Sequence, residues 1–406
     1  MTVTALPEAS PEDPRAKRAV ALLIWAQASL GAQMPVHFIL GGLAGNYLSD
    51  NPAYATLPVS MIVLCSMIAA PVMSCFMGRW GRRAGFLVGA GAGALGGALS
   101  AYALTLEDFT LFCAGTFLTG IYMAAHNFYR FAAADLASET FRPKAISWVM
   151  AGGLVAALLG PELVKIFGDT WAPVPFAGAY AFLVVLNLGG ALPLLLLDIP
   201  PQPRPASGTR SGRPWREILA DRRVPVAMLC AMISYALMNL VMTSTPLAMV
   251  ICGFGTNDAA DVVRVHVLAM YIPSFFTGAL IARFGAPRMI GIGLVLLMCA
   301  AGIALSGIEL AQFYAALAII GLGWNFAFIG ATTMLAAAHR PEERSRVQGL
   351  NDFLVFGMVT VASFSSGALL SGFGWSAVNM AVLPAVGLAV AALIWLQMGR
   401  RGPATG

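Results

Sequence analysis

Lysine is nearly missing from this chain, with only Lys17, Lys144 and Lys165 in 406 residues. Charge of either sign is scarce: Asp, Glu, Lys and Arg together make 11% of the sequence, against roughly 25% in soluble domains. There is no CxxC pair. Cys65, Cys75, Cys113, Cys230, Cys252 and Cys299 all lie in or at the edge of apolar runs, where thiols behave as small hydrophobes, so a disulfide frame or thiolate metal site is not expected. The histidines, His37, His126, His266 and His339, are too scattered to hold a metal. No nucleophile elbow, phosphate loop or haem-type His pair occurs, so neither an enzyme nor a cofactor is expected. Residues 1–18 lack an apolar core of the signal-peptide kind; their Pro, Glu and Asp content reads as a disordered cytoplasmic tail.

What the chain does have is long apolar runs. Hydrophobic residues make 59% of it, above the roughly 45–50% of soluble proteins. About 20 apolar residues cross the ~30 Å hydrocarbon layer. On that measure the runs predict spans at 19–45, 53–77, 84–104, 109–134, 144–167 and 172–197, then 224–250, 260–283, 287–306, 310–336, 347–371 and 375–397. With these spans drawn, every Lys and Arg except Lys165 and Arg264 falls on one side. Cytoplasmic loops collect basic residues, so both termini are expected in the cytoplasm. The same sorting accounts for the net charge of +5 without a nucleic-acid partner; the partner it implies is the lipid bilayer.

Residues 198–223, rich in Pro, Ser and Arg, separate two six-span bundles, 19–197 and 224–397, and residues 398–406 form a second cytoplasmic tail. The linker reads as disordered, with a short interfacial helix around Trp215–Leu219. The bundles look related. A shift of 204 residues aligns Arg79 with Arg283, Gly81 with Gly285, Glu139 with Glu343, Arg142 with Arg346 and Gly153 with Gly357. Parallel half-repeats with a midplane site between them are a transporter architecture.

The loop after the second span reads Ser74-Cys-Phe-Met-Gly-Arg79-Trp-Gly81-Arg82-Arg83, and its counterpart reads Gly278-Ala-Leu-Ile-Ala-Arg283-Phe-Gly285-Ala-Pro-Arg288. Here the chain resembles the major facilitator superfamily, whose signature in this loop is GxxxD(R/K)xGR(R/K). The resemblance covers essentially the whole chain and implies an all-α membrane fold of twelve helices in two bundles. The resemblance implies that the signature's Asp joins a charge relay steadying one conformation, but that Asp is Gly78 in one half and Ala282 in the other. Arg79, Arg82, Arg83 and Arg283 therefore read either as a conformational gate or as anchors to anionic headgroups. Mixed charge at Asp135, Glu139, Arg142 and Lys144, and again at His339, Glu342, Glu343 and Arg346, reads either as gate salt bridges or as solvated loops. Gly160-Pro161 partly matches the antiporter motif of drug exporters, and helix packing explains it equally well.

The resemblance also implies a cavity lined by spans 1, 4, 7 and 10. Polar and aromatic residues on those spans are Gln27, Gln33, His37, Tyr122, His126, Asn127, Arg130, Tyr235, Asn239, Thr243, Trp324 and Asn325. Polar groups at membrane depth normally face protein or water. Tyr122, Asn239, Trp324 and Asn325 lie nearest the midplane, so Ala at Tyr122 or Asn325 is expected to impair transport without loss of protein. Arg130 lies near the cytoplasmic surface, where it can snorkel; His126 and Arg130 together favour an anionic or zwitterionic substrate. No Asp or Glu sits squarely at a midplane, which leaves open both uniport and coupling to H+, with His126, Glu162 and Asp352 as the candidates for the latter.

The expectation is a monomeric secondary transporter of a small organic molecule, working by alternating access. The abundance of Arg over Lys is typical of GC-rich bacteria, so a bacterial inner membrane is the expected location. Two rivals stand: export of diverse apolar compounds, and a non-transporting sensor or assembly factor on the same scaffold.

Overall fold

A computed structural model describes residues 14–136, 142–199 and 212–398, all helix, turn or irregular with no strand among them. The spanning helices are α1 (Pro14–Leu48), α2 (Pro52–Trp80), α3 (Arg82–Thr105) and α4 (Phe109–Ala133). Then come α5 (Arg142–Phe167), α6 (Ala177–Leu196), α7 (Arg223–Ile251) and the bent pair α8, Thr256–Tyr271 with Ser274–Phe284. The last are α9 (Ala286–Leu305), α10 (Leu310–Ala336), α11 (Arg344–Met380) and α12 (Val382–Met398).

Ten stretches are long and apolar enough to cross a membrane, or eleven with the bent pair. The final stretch, Arg346–Met398, has 53 residues, which at 1.5 Å per residue is ~80 Å, more than twice the hydrocarbon thickness. It breaks at Gly374 (φ 79°), so it holds two of the expected spans rather than one. Each of the twelve expected spans thus has a helical counterpart. The expected interfacial helix in the linker is Trp215–Ala220.

Beside an apolar core, many large apolar residues face outward, as lipid solvation permits, and polar ones are drawn inside. Val72, Leu95, Val185, Leu196, Ile251 and Phe373 are exposed, while Gln33, Asn187, Ser234, Asn239, Asn325 and Ser363 are buried. The two cations on the wrong side of the charge bias each have an acid one helical turn away. Lys165 lies 4.0 Å from Glu162, and Arg264 lies 3.2 Å from Asp261.

Contacts divide the chain into two compact units, one holding Met1–Val36 with Ile68–Arg204 and the other His37–Met67 with Pro205–Gly406. Each carries the same turn. In the first, Gly81 adopts φ 88°, ψ 159° between α2 and α3. In the second, Gly285 adopts φ 85°, ψ 146° between α8 and α9. Only glycine enters that region without strain, so the repeated Gly of the motif answers to backbone geometry. Immediately before it, Arg79 lies 5.7 Å from the Trp80 ring and Arg283 lies 5.3 Å from the Phe284 ring. The repeat continues inside the helices. Gly89 of α3 leaves no room for a Cβ against Ala125 of α4, and Gly293, 204 residues on, leaves none against Ala327 of α10.

In the first unit the core joins Leu23, Ala26 and Leu30 of α1 to Met73, Met77, Phe86, Tyr122 and Tyr129. In the second, residues of the segment 37–67 pack on α11 through hydroxyls: Ser60 donates to Ser363 at 2.8 Å and Ser366 donates to Thr56 at 3.1 Å.

Candidate substrate-binding site

In the second unit, Tyr235, Asn239 and Thr243 occur at intervals of four on α7 and so form one stripe. Trp324 and Phe328 repeat the spacing on α10, their rings stacked at 5.3 Å and 11°. Tyr235 meets both edge-on, at 5.3 Å and 5.2 Å, and reaches Phe356 of α11 at 5.9 Å. Three helices therefore supply one aromatic cluster in which Tyr235, Phe328 and Phe356 remain half-buried.

Along the same α7 stripe and on Trp324 itself are polar atoms that find no hydrogen-bond partner although they are buried: Asn239 Nδ2, Thr243 Oγ1 and Trp324 Nε1. An orphaned buried group costs about 1–3 kcal/mol, and such groups are few in folded proteins. Three on one stripe and the helix facing it form a ready set of hydrogen-bonding groups for a ligand.

Asn325, the neighbour of Trp324, points elsewhere because consecutive helical residues do not share a face. Its amide donates to the Met270 carbonyl and to Ser274 Oγ, each at 2.7 Å, and accepts from Thr277 Oγ1 at 2.6 Å. These partners flank Pro273, where the two parts of α8 bend by 41°. Proline removes a backbone donor and kinks the helix, and Asn325 braces the break. Both of its amide hydrogens and one acceptor position are thus met by protein in this structure, an arrangement that holds the bend. Gln33 is similarly engaged. It donates to Asn187 at 3.0 Å and accepts from Asn187 at 3.1 Å, tying α1 to α6 inside the first unit.

The other first-unit candidates surround an interruption of α4 at 127–128. The His126 ring lies 5.5 Å from Tyr122 and 5.1 Å from Tyr129, and Tyr129 meets Phe86 at 4.7 Å. His126 Nε2 is buried with no hydrogen-bond partner. Tyr122 is fully buried. Asn127 closes the first part of α4, its backbone N–H reaching the Met123 carbonyl. Arg130 is exposed, its guanidinium 4.9 Å from the Phe131 ring. Gln27 and His37 are both buried, His37 within the second unit.

Among the coupling candidates, Glu162 is half exposed beside Lys165. Asp352 is exposed and accepts from Asn351 at 3.2 Å. Of the expected gate residues, Arg82 lies 5.4 Å from the Phe128 ring, and Arg83 donates to the Leu195 carbonyl at 3.4 Å. Glu139 and the side chain of Arg142 lie outside the described residues.

Glu343 is fully buried, and its partner is the linker. Arg213 donates to it from the backbone N at 3.0 Å, from Nε at 2.9 Å and from Nη2 at 2.8 Å, and the Arg340 backbone N donates at 3.0 Å. Hydrogen bonding from Arg213, then from the Arg340 backbone, holds this carboxyl well below the usual carboxylate range. Arg346 lies 4.8 Å from the ring of Trp215. This end of the linker is thus strapped to the α10–α11 turn.

Phe328, Phe356, Tyr129 and Arg213 were not visible as site or gate residues in the sequence. The spacing of Trp324 and Phe328 was the available signal for the first; the others depend on which helices meet.

Comparison with known proteins agrees with this architecture. The major facilitator superfamily profile matches residues 19–263 and 227–405. A riboflavin transporter of Brucella anthropi is 43% identical over 391 residues, covering 96% of this chain and 98% of that protein. An uncharacterized transporter of the same superfamily type from Bacillus subtilis is 27% identical over 381 residues, covering 88% of this chain and 84% of its own length. A second from that organism is 26% identical over 392 residues, covering 91% and 90%. With the profile spanning both half-repeats, the chain belongs to the major facilitator superfamily, and it is a multi-pass membrane transporter of a small organic molecule rather than an enzyme.

Proposed function

We propose that the substrate is riboflavin or a closely related flavin, carried across a bacterial plasma membrane by a monomer working through alternating access, with both termini in the cytoplasm. The observation that carries this reading is the 43% identity to a riboflavin transporter along almost the full length of both chains. The Tyr235–Trp324–Phe328 rings and the orphaned Asn239, Thr243 and Trp324 groups support it. A flavin is planar, aromatic and rich in hydrogen-bonding groups, and such a ligand suits apolar walls with a few polar groups that fix its orientation.

The test is uptake of radiolabelled riboflavin by a riboflavin-requiring bacterial strain, with and without this chain. Growth on low external riboflavin together with saturable uptake supports the reading. No difference between the strains, together with no enhanced loss of preloaded riboflavin, overturns it.

H+ is the coupling ion in this reading, with His126 as its carrier. The support is its buried, partnerless Nε2, on a side chain whose ordinary pKa of about 6.5 suits exchange near neutrality. Glu162, beside Lys165, and Asp352, exposed, serve less well.

A further inference from the structure

The aromatic cluster of the second unit has a chemical bias that narrows the cargo. Trp324 Nε1 can only donate, Asn239 Nδ2 can only donate, and Thr243 Oγ1 can do either. All three lack partners, and their residues are at least nine-tenths buried. The ligand edge that would satisfy them is therefore rich in acceptors: carbonyl oxygens and unprotonated ring nitrogens. From Tyr235 to Thr243 the α7 stripe runs about 12 Å, comparable to the long axis of three fused six-membered rings.

The stretches of helix that carry the patch hold no cation among the described residues. Between Pro225 and Ile251 on α7, and along all of α10, there is no Asp, Glu, Lys or Arg. The charged residue within a turn of Phe356 is Asp352, an anion on the same helix. A phosphate brought to this patch would be desolvated with no cation to meet it, which is strongly unfavourable.

We infer that this patch recognises its cargo by the ring: it takes uncharged, planar, fused heteroaromatic molecules through a carbonyl-bearing edge, is indifferent to a sugar-alcohol tail, and rejects phosphorylated forms. The inference rests on the flavin reading for its natural cargo, and it goes further by assigning which part of the flavin is bound and which relatives are refused. It departs from the anionic or zwitterionic substrate that His126 and Arg130 suggest in the sequence.

The experiment is calorimetric titration of the full-length protein in lipid nanodiscs with riboflavin, lumiflavin (a methyl group in place of the ribityl tail), riboflavin 5′-phosphate and ribitol. Lumiflavin is expected within about threefold of riboflavin, the phosphate at least tenfold weaker, and ribitol without competition. Trp324→Phe keeps an aromatic face, smaller than the indole, and removes the N–H. It should weaken riboflavin and lumiflavin alike by about tenfold, the cost of one unmet hydrogen bond. Asn239→Ala, on a different helix, should do the same. A tenfold loss on removing the tail, equal binding of the phosphate, or unchanged affinity in both variants would overturn the inference. If no flavin binds, the flavin reading fails by itself. Lumazine and xanthine, which carry the same kind of carbonyl edge, then decide the inference: binding weakened by Trp324→Phe sustains it, and no binding ends it.

Discussion

Asn239 and Asn325 are both buried asparagines at membrane depth, in the same unit, on helices that share an aromatic cluster. Their circumstances are opposite. Asn325 is committed to three partners across the bend of α8, whereas the Asn239 amide nitrogen has none. A polar side chain in a membrane helix can be a brace or a binding group. Residue type and depth do not separate the two; the accounting of its hydrogen bonds does.

The largest effect that can break this comparison is expected at the rings. Trp324→Ala removes both a stacking face and a donor; aromatic stacking of a planar base is worth about 1–3 kcal/mol. Riboflavin affinity of the folded variant should fall about 5- to 150-fold, read by titration, and because the ring is buried its removal should also cost about 3–5 kcal/mol of stability. An unaltered affinity would mean that the cluster is only core. His126→Gln is expected to abolish the stimulation of transport by an imposed pH gradient while leaving substrate exchange at equal pH active. Retained stimulation in proteoliposomes would remove His126 as the carrier.

Next come the asparagines themselves. Asn325→Ala should destabilise the protein by about 1–3 kcal/mol, because the Met270 carbonyl and Thr277 hydroxyl lose a buried partner, with little change in riboflavin affinity. Asn239→Ala should weaken affinity and spare stability. A melting series with and without ligand separates the two outcomes, and a swapped pattern would invert the assignment.

The smallest effect concerns the strap. A depressed carboxyl stabilises the docked form above its ordinary pKa and loses that contribution as pH falls toward its folded value. Docking of Arg213 on Glu343 should therefore be flat from pH 8 down to about 4.5 and weaken only below that. Protease cleavage of the linker, or the fluorescence of Trp215 in a variant lacking other tryptophans, reads this directly. A transition near pH 6 would contradict the burial and pairing of Glu343.

The fold was legible because lipid imposes a simple code. Spans had to be long and apolar, cations had to gather on one side, and Gly81 and Gly285 had to stand where the backbone turns with positive φ. The half-repeat offset of 204 residues reappears in the matching dihedrals of those turns and in the tight contacts of Gly89 and Gly293. The candidate site was legible only as a pool. Tyr235, Asn239, Thr243 and Trp324 could be named, but so could Asn325, because Pro273 gives no hint of which helix will brace its bend. The strap was hidden for another reason. Composition marked the linker as solvated, and nothing local tells Arg213 apart from the other five linker arginines or joins it to Glu343 across 130 positions.

The most direct measurement is riboflavin counterflow in proteoliposomes holding the purified chain, wild type beside Trp324→Ala. The account predicts that external radiolabelled riboflavin accumulates transiently in vesicles preloaded with unlabelled riboflavin for the wild type, and that the variant shows little or none. No counterflow by the wild type, or equal counterflow by both, would contradict it.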